Sequence, residues 1–186
     1  YVNLGEFYDI AAAKTAREDI VRRTEEGSAA YRRAYRALAA ARQMEESASA
    51  LAAEGLDPAK LLRRTGGIIG REIRGKGSGG EERFRFLGSL TCKGPIWRFD
   101  TVDALCPRVY ELQDPYGLAW PMLERIRAAA KARGFAAVVC PDPEHPDRTQ
   151  HLLLPELGLA FVTSRDGMAY PGGACRRVRM ETMLVP

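Results

Sequence analysis

The stretch RVYELQDPYGLAWPMLERIRAAAKARG, residues 108–134, most constrains what this chain can fold into. Val109, Tyr110 and Leu112 suit a pleated, half-buried strand. A short loop containing Pro115 and Gly117 follows, and then an amphipathic helical run. Pro121 stands at its first turn and Gly134 just past its end, the positions where each residue is best tolerated. Further β-type runs at 84–87, 135–139 and 159–163 surround this helix. Strands alternating with helix predict an α/β domain with a parallel sheet and flanking helices.

The first part of the chain has a different texture. Residues 10–54 contain no proline and are dominated by Ala, Arg and Glu. Tyr31, Tyr35, Leu38, Ala41, Ala48 and Leu51 recur at helical spacing, opposite Arg32, Arg33, Arg36, Glu46 and Glu54. Gly27-Ser28 is expected to separate one helix from the next, since Ser caps helices well. Gly55 is expected to end the second, and Asp57-Pro58 to start a third that carries Leu61, Leu62, Ile69 and Ile73. The expectation is an α-helical hairpin segment over residues 10–74. The stretch GKGSGGEE, residues 75–82, reads as a flexible linker, with the α/β domain, whole or truncated, following over 83–186.

Charge and cysteine usage narrow the classes. The formal net charge of +4 comes from 23 Arg and 5 Lys against 24 acids. The pairs Arg22-Arg23, Arg63-Arg64 and Arg176-Arg177 are scattered, whereas nucleic-acid binders gather charge on one face. A basic helical module acting through residues 22–42 stays open as an alternative. No apolar run approaches the roughly 18–20 residues that a membrane span needs, and no signal pattern opens the sequence. Cys92, Cys106, Cys140 and Cys175 stand far apart, which predicts reduced thiols in a cytoplasmic protein. Cys140, His145 and His151 have metal-like spacing but lack a fourth ligand, so no metal is expected.

The strand–loop–helix at 108–134 has the layout of a phosphate-binding loop without its chemistry. Such a loop wraps phosphate in backbone N–H groups, adds a Lys, and holds Mg²⁺ with a Ser or Thr hydroxyl. In register with it, the first glycine is Asp114, the glycine–lysine pair is Ala119-Trp120, and the hydroxyl is Pro121; only Gly117 remains. Asp114 opposes an anion, Trp120 brings no charge, and Pro121 lacks an N–H. A second partial match, GREIRGKG at residues 70–77, follows a helix instead of a strand and is a chance match.

Three segments of the second half, RFRFLGSLTCKGPIWRFDTV, the 108–134 stretch, and CPDPEHPDRTQHLLLPELGLAFVTS, together resemble one repeat of a bacterial family of tandem P-loop ATPases. VNLGEFYD and YRRAYRALAAA resemble the tail of a preceding repeat and its connecting helices. The resemblance implies a P-loop NTPase-like fold, with residues 1–9 closing an earlier repeat. VNLGEFYD and VRMETMLV, which echo each other, suit that phase. The parent family uses ATP and Mg²⁺; neither is expected to be held by this chain. Thr163-Ser164 stands where such ATPases often place an acidic Mg²⁺ partner, and that acid is absent too. The implied role is a pseudo-ATPase domain, structural or regulatory, whose partner is a preceding P-loop repeat or a second copy of the chain.

A polar ring above the strand ends, where open α/β sheets bind ligands, would draw on Lys93, Asp142, Asp147, His151, Glu156 and Arg165. These are candidate ligand or partner contacts. The rival reading is a nucleotide-binding enzyme that grips phosphate through residues such as Lys93 and Arg165. No nucleophile–base pair can be assigned from the sequence.

Overall fold

Short local signals set the element boundaries in the computed structural model, which describes residues 4–185. The expected repeat tail therefore lies partly, at residues 1–3, outside the described residues. Two compact units divide between Glu45 and Glu46.

The first unit holds a 3₁₀ turn, α1 (Ile10–Thr15) and most of α2 (Arg17–Glu54). Asp9 caps α1 by accepting from the Ala12 N–H at 2.9 Å. The expected break at Gly27-Ser28 does not occur, and α2 runs unbroken for 38 residues. One helical glycine costs only about 1 kcal/mol relative to Ala, and Asp19–Arg23 and Arg22–Glu26 bridge successive turns just before it. None of the residues of α2 is buried. Tyr31 and Tyr35 stack on each other, ring centres 6.4 Å apart, and stay exposed. The hairpin expected from a break at Gly27-Ser28 is thus corrected to one long helix, exposed at Tyr31 and Tyr35.

In the second unit, Asp57 caps α3 (Pro58–Glu72) by accepting from Ala59 and Lys60 N–H. Strands β1 (Glu82–Phe84), β2 (Gly88–Thr91) and β3 (Gly94–Trp97) precede α4 (Phe99–Leu105). Then come β4 (Arg108–Gln113), α5 (Trp120–Ala132), β5 (Ala137–Pro141), β6 (Thr149–Leu154), β7 (Leu159–Ser164) and β8 (Arg176–Arg179). Six strands form one sheet in the order β1-β5-β6-β7-β4-β8, and β2 and β3 form a separate hairpin. Tyr110, Leu112 and Phe161 face a core shared with α3 and α5. Val109, Ala160 and Val162 face a second core with Phe99 and Val102 of α4. Both faces of the sheet are covered, which suits the fully buried β6 and β7.

The expected parallel sheet is corrected to a mixed one. β4 pairs in parallel with β7 and β8, and β1 with β5, but β6 is antiparallel to both its neighbours. The apolar run Leu152–Leu154 belongs to this extra strand. It turns back through Pro155 and through Gly158, whose φ of 56° a side chain would resist. β4 and β5, on either side of α5, run in the same sense, yet β7 and β6 lie between them. α5 ends as expected: Gly134, at φ 76°, donates to Lys131 O while Phe135 N donates to Ala130 O, closing a Schellman motif.

The expected flexible linker is also corrected. Gly77 N donates to Arg133 O at 2.8 Å and Gly79 N to Gly134 O at 2.9 Å. A Cβ at Gly77 would lie 2.2 Å from Gly134 O, so only glycine permits this backbone crossing. No described helix is long and apolar enough to cross a membrane.

Candidate functional site

Asp-Pro-Tyr-Gly has the residues a type I turn favours at its first, second and fourth places. Accordingly Gly117 N donates back to Asp114 O at 3.4 Å, and Gly117 takes φ 69°. The turn folds the chain so that the buried Asp114 carboxylate faces the start of α5. Its two oxygens accept from Leu118 N at 2.7 Å and Ala119 N at 2.8 Å. One donor is the N-cap residue of α5 and the other the loop residue before it, so the carboxylate occupies the approach to the helix start, where an anion would bind. The loop is thus an anion hole filled by its own side chain. Burial pushes the Asp114 carboxyl above the usual carboxylate range, while the backbone donors and the Arg165 charge pull it down.

Ala119 caps α5 without any side-chain hydrogen bond, and Pro121 falls in the first turn. Trp120 carries the Arg148 guanidinium over its ring, 5.6 Å from the centre. Thr163 and Ser164 end β7 opposite Leu112 and Gln113 of β4. Ser164 Oγ donates to Glu111 at 2.8 Å, and Glu111 also accepts from Arg177 Nε at 2.8 Å. Glu111, buried on a central strand, was not singled out from the sequence. The alternation of the β-run hid it, because a charge there reads as a solvent-facing position.

The expected polar ring is only partly assembled. Arg165 follows the end of β7, Asp142 and Asp147 lie between β5 and β6, and His151 sits within β6. These share the carboxyl-end side of β4 and β7 with Asp114. Arg165 acts electrostatically on both Asp114 and His151, and its guanidinium lies 3.9 Å from Glu144. Asp142 accepts from Glu144 N at 2.8 Å and so shapes its own loop. Asp147 is exposed. Glu156 belongs elsewhere: it precedes β7 at the opposite end of the sheet. There it accepts from Ala136 N at 2.7 Å and Ser78 N at 3.0 Å, tying the glycine-rich segment down. Lys93 is exposed in the β2–β3 turn.

His151 is wholly buried, edge-on to Trp97 and Phe99. Its Nδ1 accepts from Thr163 N at 3.1 Å. Burial, helped by the Arg165 charge, depresses its pKa to about 3, so the ring is neutral near pH 7. Cys140 and Cys106 are buried thiols pushed up to about 12 and about 11, whereas Cys92 and Cys175 are exposed. Among the described residues, no three His, Cys, Asp or Glu side chains converge as metal ligands would.

A depression on the second unit lies at the carboxyl ends of β4 and β8. Its volume is about 860 Å³, and Lys60, Arg63, Arg64, Arg177 and Arg179 line it. The sequence hinted at it only through two separate arginine pairs. No family model, curated protein or solved structure matches the chain.

Proposed function

We propose that this chain is a degenerate P-loop domain, a pseudo-ATPase that serves as a structural or regulatory unit of a larger nucleotide-binding ATPase. The observation that carries the reading is the Asp114 carboxylate on Leu118 and Ala119 N–H. A phosphate approaching the loop meets donors already taken and a side chain able to carry negative charge. Trp120 stands where the loop would carry lysine, Thr163-Ser164 bring no carboxylate of their own, and the neighbouring Glu111 is engaged by Ser164 Oγ and Arg177. Two hydrogen bonds to a charged group, each worth roughly 1.5–3 kcal/mol, correspond to about two to four powers of ten in affinity. The βαβ-like path from β4 through α5 to β5 suits the P-loop layout in strand sense, and the inserted β7 and β6 are its departure.

The rival, a nucleotide-binding enzyme, draws on Arg165, whose charge reaches Asp114. The two readings separate in turnover and in Mg²⁺-dependent ATP binding. The pseudo-ATPase gives no phosphate release and no Mg²⁺-dependent ATP binding tighter than about millimolar. Micromolar Mg–ATP binding that disappears in Lys93→Ala or Arg165→Ala would establish the rival instead.

A further inference from the structure

We propose that the cleft between α3 and β8 is a binding site for a compact polyphosphate anion. Lys60, Arg63 and Arg64 lie three and four residues apart and so share one side of α3, while Leu61, Thr65 and Ile68 form its buried side. Arg177 and Arg179 alternate on β8 and point the same way, with Val178 buried between them. All five line a single cavity of about 860 Å³.

Such an arrangement works against the fold. Like charges one helical turn apart repel, and no carboxylate lines this cavity among the described residues. Some other cations of the unit, among them Arg83, Arg98, Arg108, Arg127 and Lys131, meet an acid. In the cleft, among the described residues, only Arg177 does, through Glu111 at 2.8 Å. Asp57 feels Lys60 and Arg63, but its carboxylate is committed to the first N–H groups of α3. The remaining cations are therefore left for a ligand of several negative charges.

Size and wall chemistry define that ligand. The volume falls within the range of roughly 300–1,000 Å³ typical of small-molecule sites. The other lining residues are an amide, a hydroxyl and a thioether, with no aromatic ring to stack on a base. Arginine forks suit phosphate oxygens. The site thus recognises the phosphates of an inorganic or organic di- or triphosphate and ignores a nucleobase. Gln113, the residue before Asp114, is part of its lining, but the site does not use the Leu118 and Ala119 donors and does not depend on the pseudo-ATPase reading.

Calorimetry of the 186-residue chain with sodium tripolyphosphate tests the site. Saturable one-to-one binding is expected, weakening as salt rises. Because the base is not read, magnesium-free ATP should bind no more tightly than tripolyphosphate. Arg64→Gln with Arg179→Gln should lower affinity at least about tenfold per residue, without changing the circular-dichroism melt. Arg125→Gln with Arg133→Gln, at exposed positions on α5 and at its C-cap, outside the cleft lining, should leave it within about twofold. Equal losses in both double variants, or no saturable binding at low salt, would overturn the proposal. So would a single-stranded RNA oligomer that binds at least about tenfold more tightly than tripolyphosphate.

Discussion

Replacing Asp114 with alanine should empty the loop and make it responsive to added anions. The carboxylate is 4% exposed and accepts two charge-assisted bonds, at 2.7 and 2.8 Å. Those bonds are worth roughly 1.5–3 kcal/mol each, and relief of the burial that raises the Asp114 pKa offsets part of their loss. A net destabilisation of about 2–4 kcal/mol follows. For a domain of this size it corresponds to a fall of roughly 5–15 °C in Tm. Leu118 and Ala119 N–H, now buried and unpaired, become a site for sulfate or phosphate at the helix start. With an affinity of about 10 mM, sulfate at about 100 mM would restore about 1.4 kcal/mol. Thermal melts of both proteins in sulfate and in chloride at matched ionic strength check this. The wild-type protein shares the general salting effect and the α3–β8 cleft, so only the difference between the proteins reports on the loop. A variant that keeps the wild-type Tm, or gains no more from sulfate than the wild type does, would refute the filled-hole argument.

His151 should make the fold acid-sensitive. Its pKa is depressed in the folded state from 6.5 to about 3, so the unfolded chain binds more protons between those values. Its contribution to stability is therefore full above about pH 6.5 and is lost as pH falls towards 3. Between pH 7 and pH 5 that loss is about 2 kcal/mol. His151→Gln keeps an acceptor for Thr163 N–H and should flatten this part of the urea-midpoint profile; an unchanged slope would count against it. Gly77→Ala should cost about 1–3 kcal/mol by overpacking against Gly134 O, whereas Gly79→Ala, with open space at its Cβ, should shift the urea midpoint by less than about 0.5 kcal/mol equivalent.

How much of this could be read from the sequence depended on how local each signal was. β4, its loop and α5 were legible because Pro121, Gly117 and Gly134 each act within a few residues. The sequence reading took Asp114 as a repelling charge; that its carboxylate occupies the Leu118 and Ala119 donors needed the turn geometry. The parallel sheet was misjudged because pairing is non-local: nothing within Thr149–Leu154 states that it will lie antiparallel between β5 and β7. Gly27-Ser28 was over-read, since a strong surrounding helix absorbs one weak position. Glu156 was placed in a ligand ring because it follows the apolar run, but the return of β6 into β7 carries it to the far end of the sheet. The basic cleft stayed hidden because residues 60–64 and 177–179 meet only once β8 has added to β4.

The docking of Gly77 and Gly79 onto the end of α5 bears on how this protein can be dissected. A glycine-rich stretch invites a cut, and an α/β fragment begun at Glu82 would look complete by composition. It would nonetheless expose the Arg133 and Gly134 carbonyls and release one of the two backbone groups that Glu156 holds. It would also discard α3, whose Leu61 and Ile68 belong to the same core as Met122, Leu123 and Ile126 of α5. The smallest autonomous piece therefore begins upstream of Asp57, and the glycines that resemble a hinge behave as a clasp.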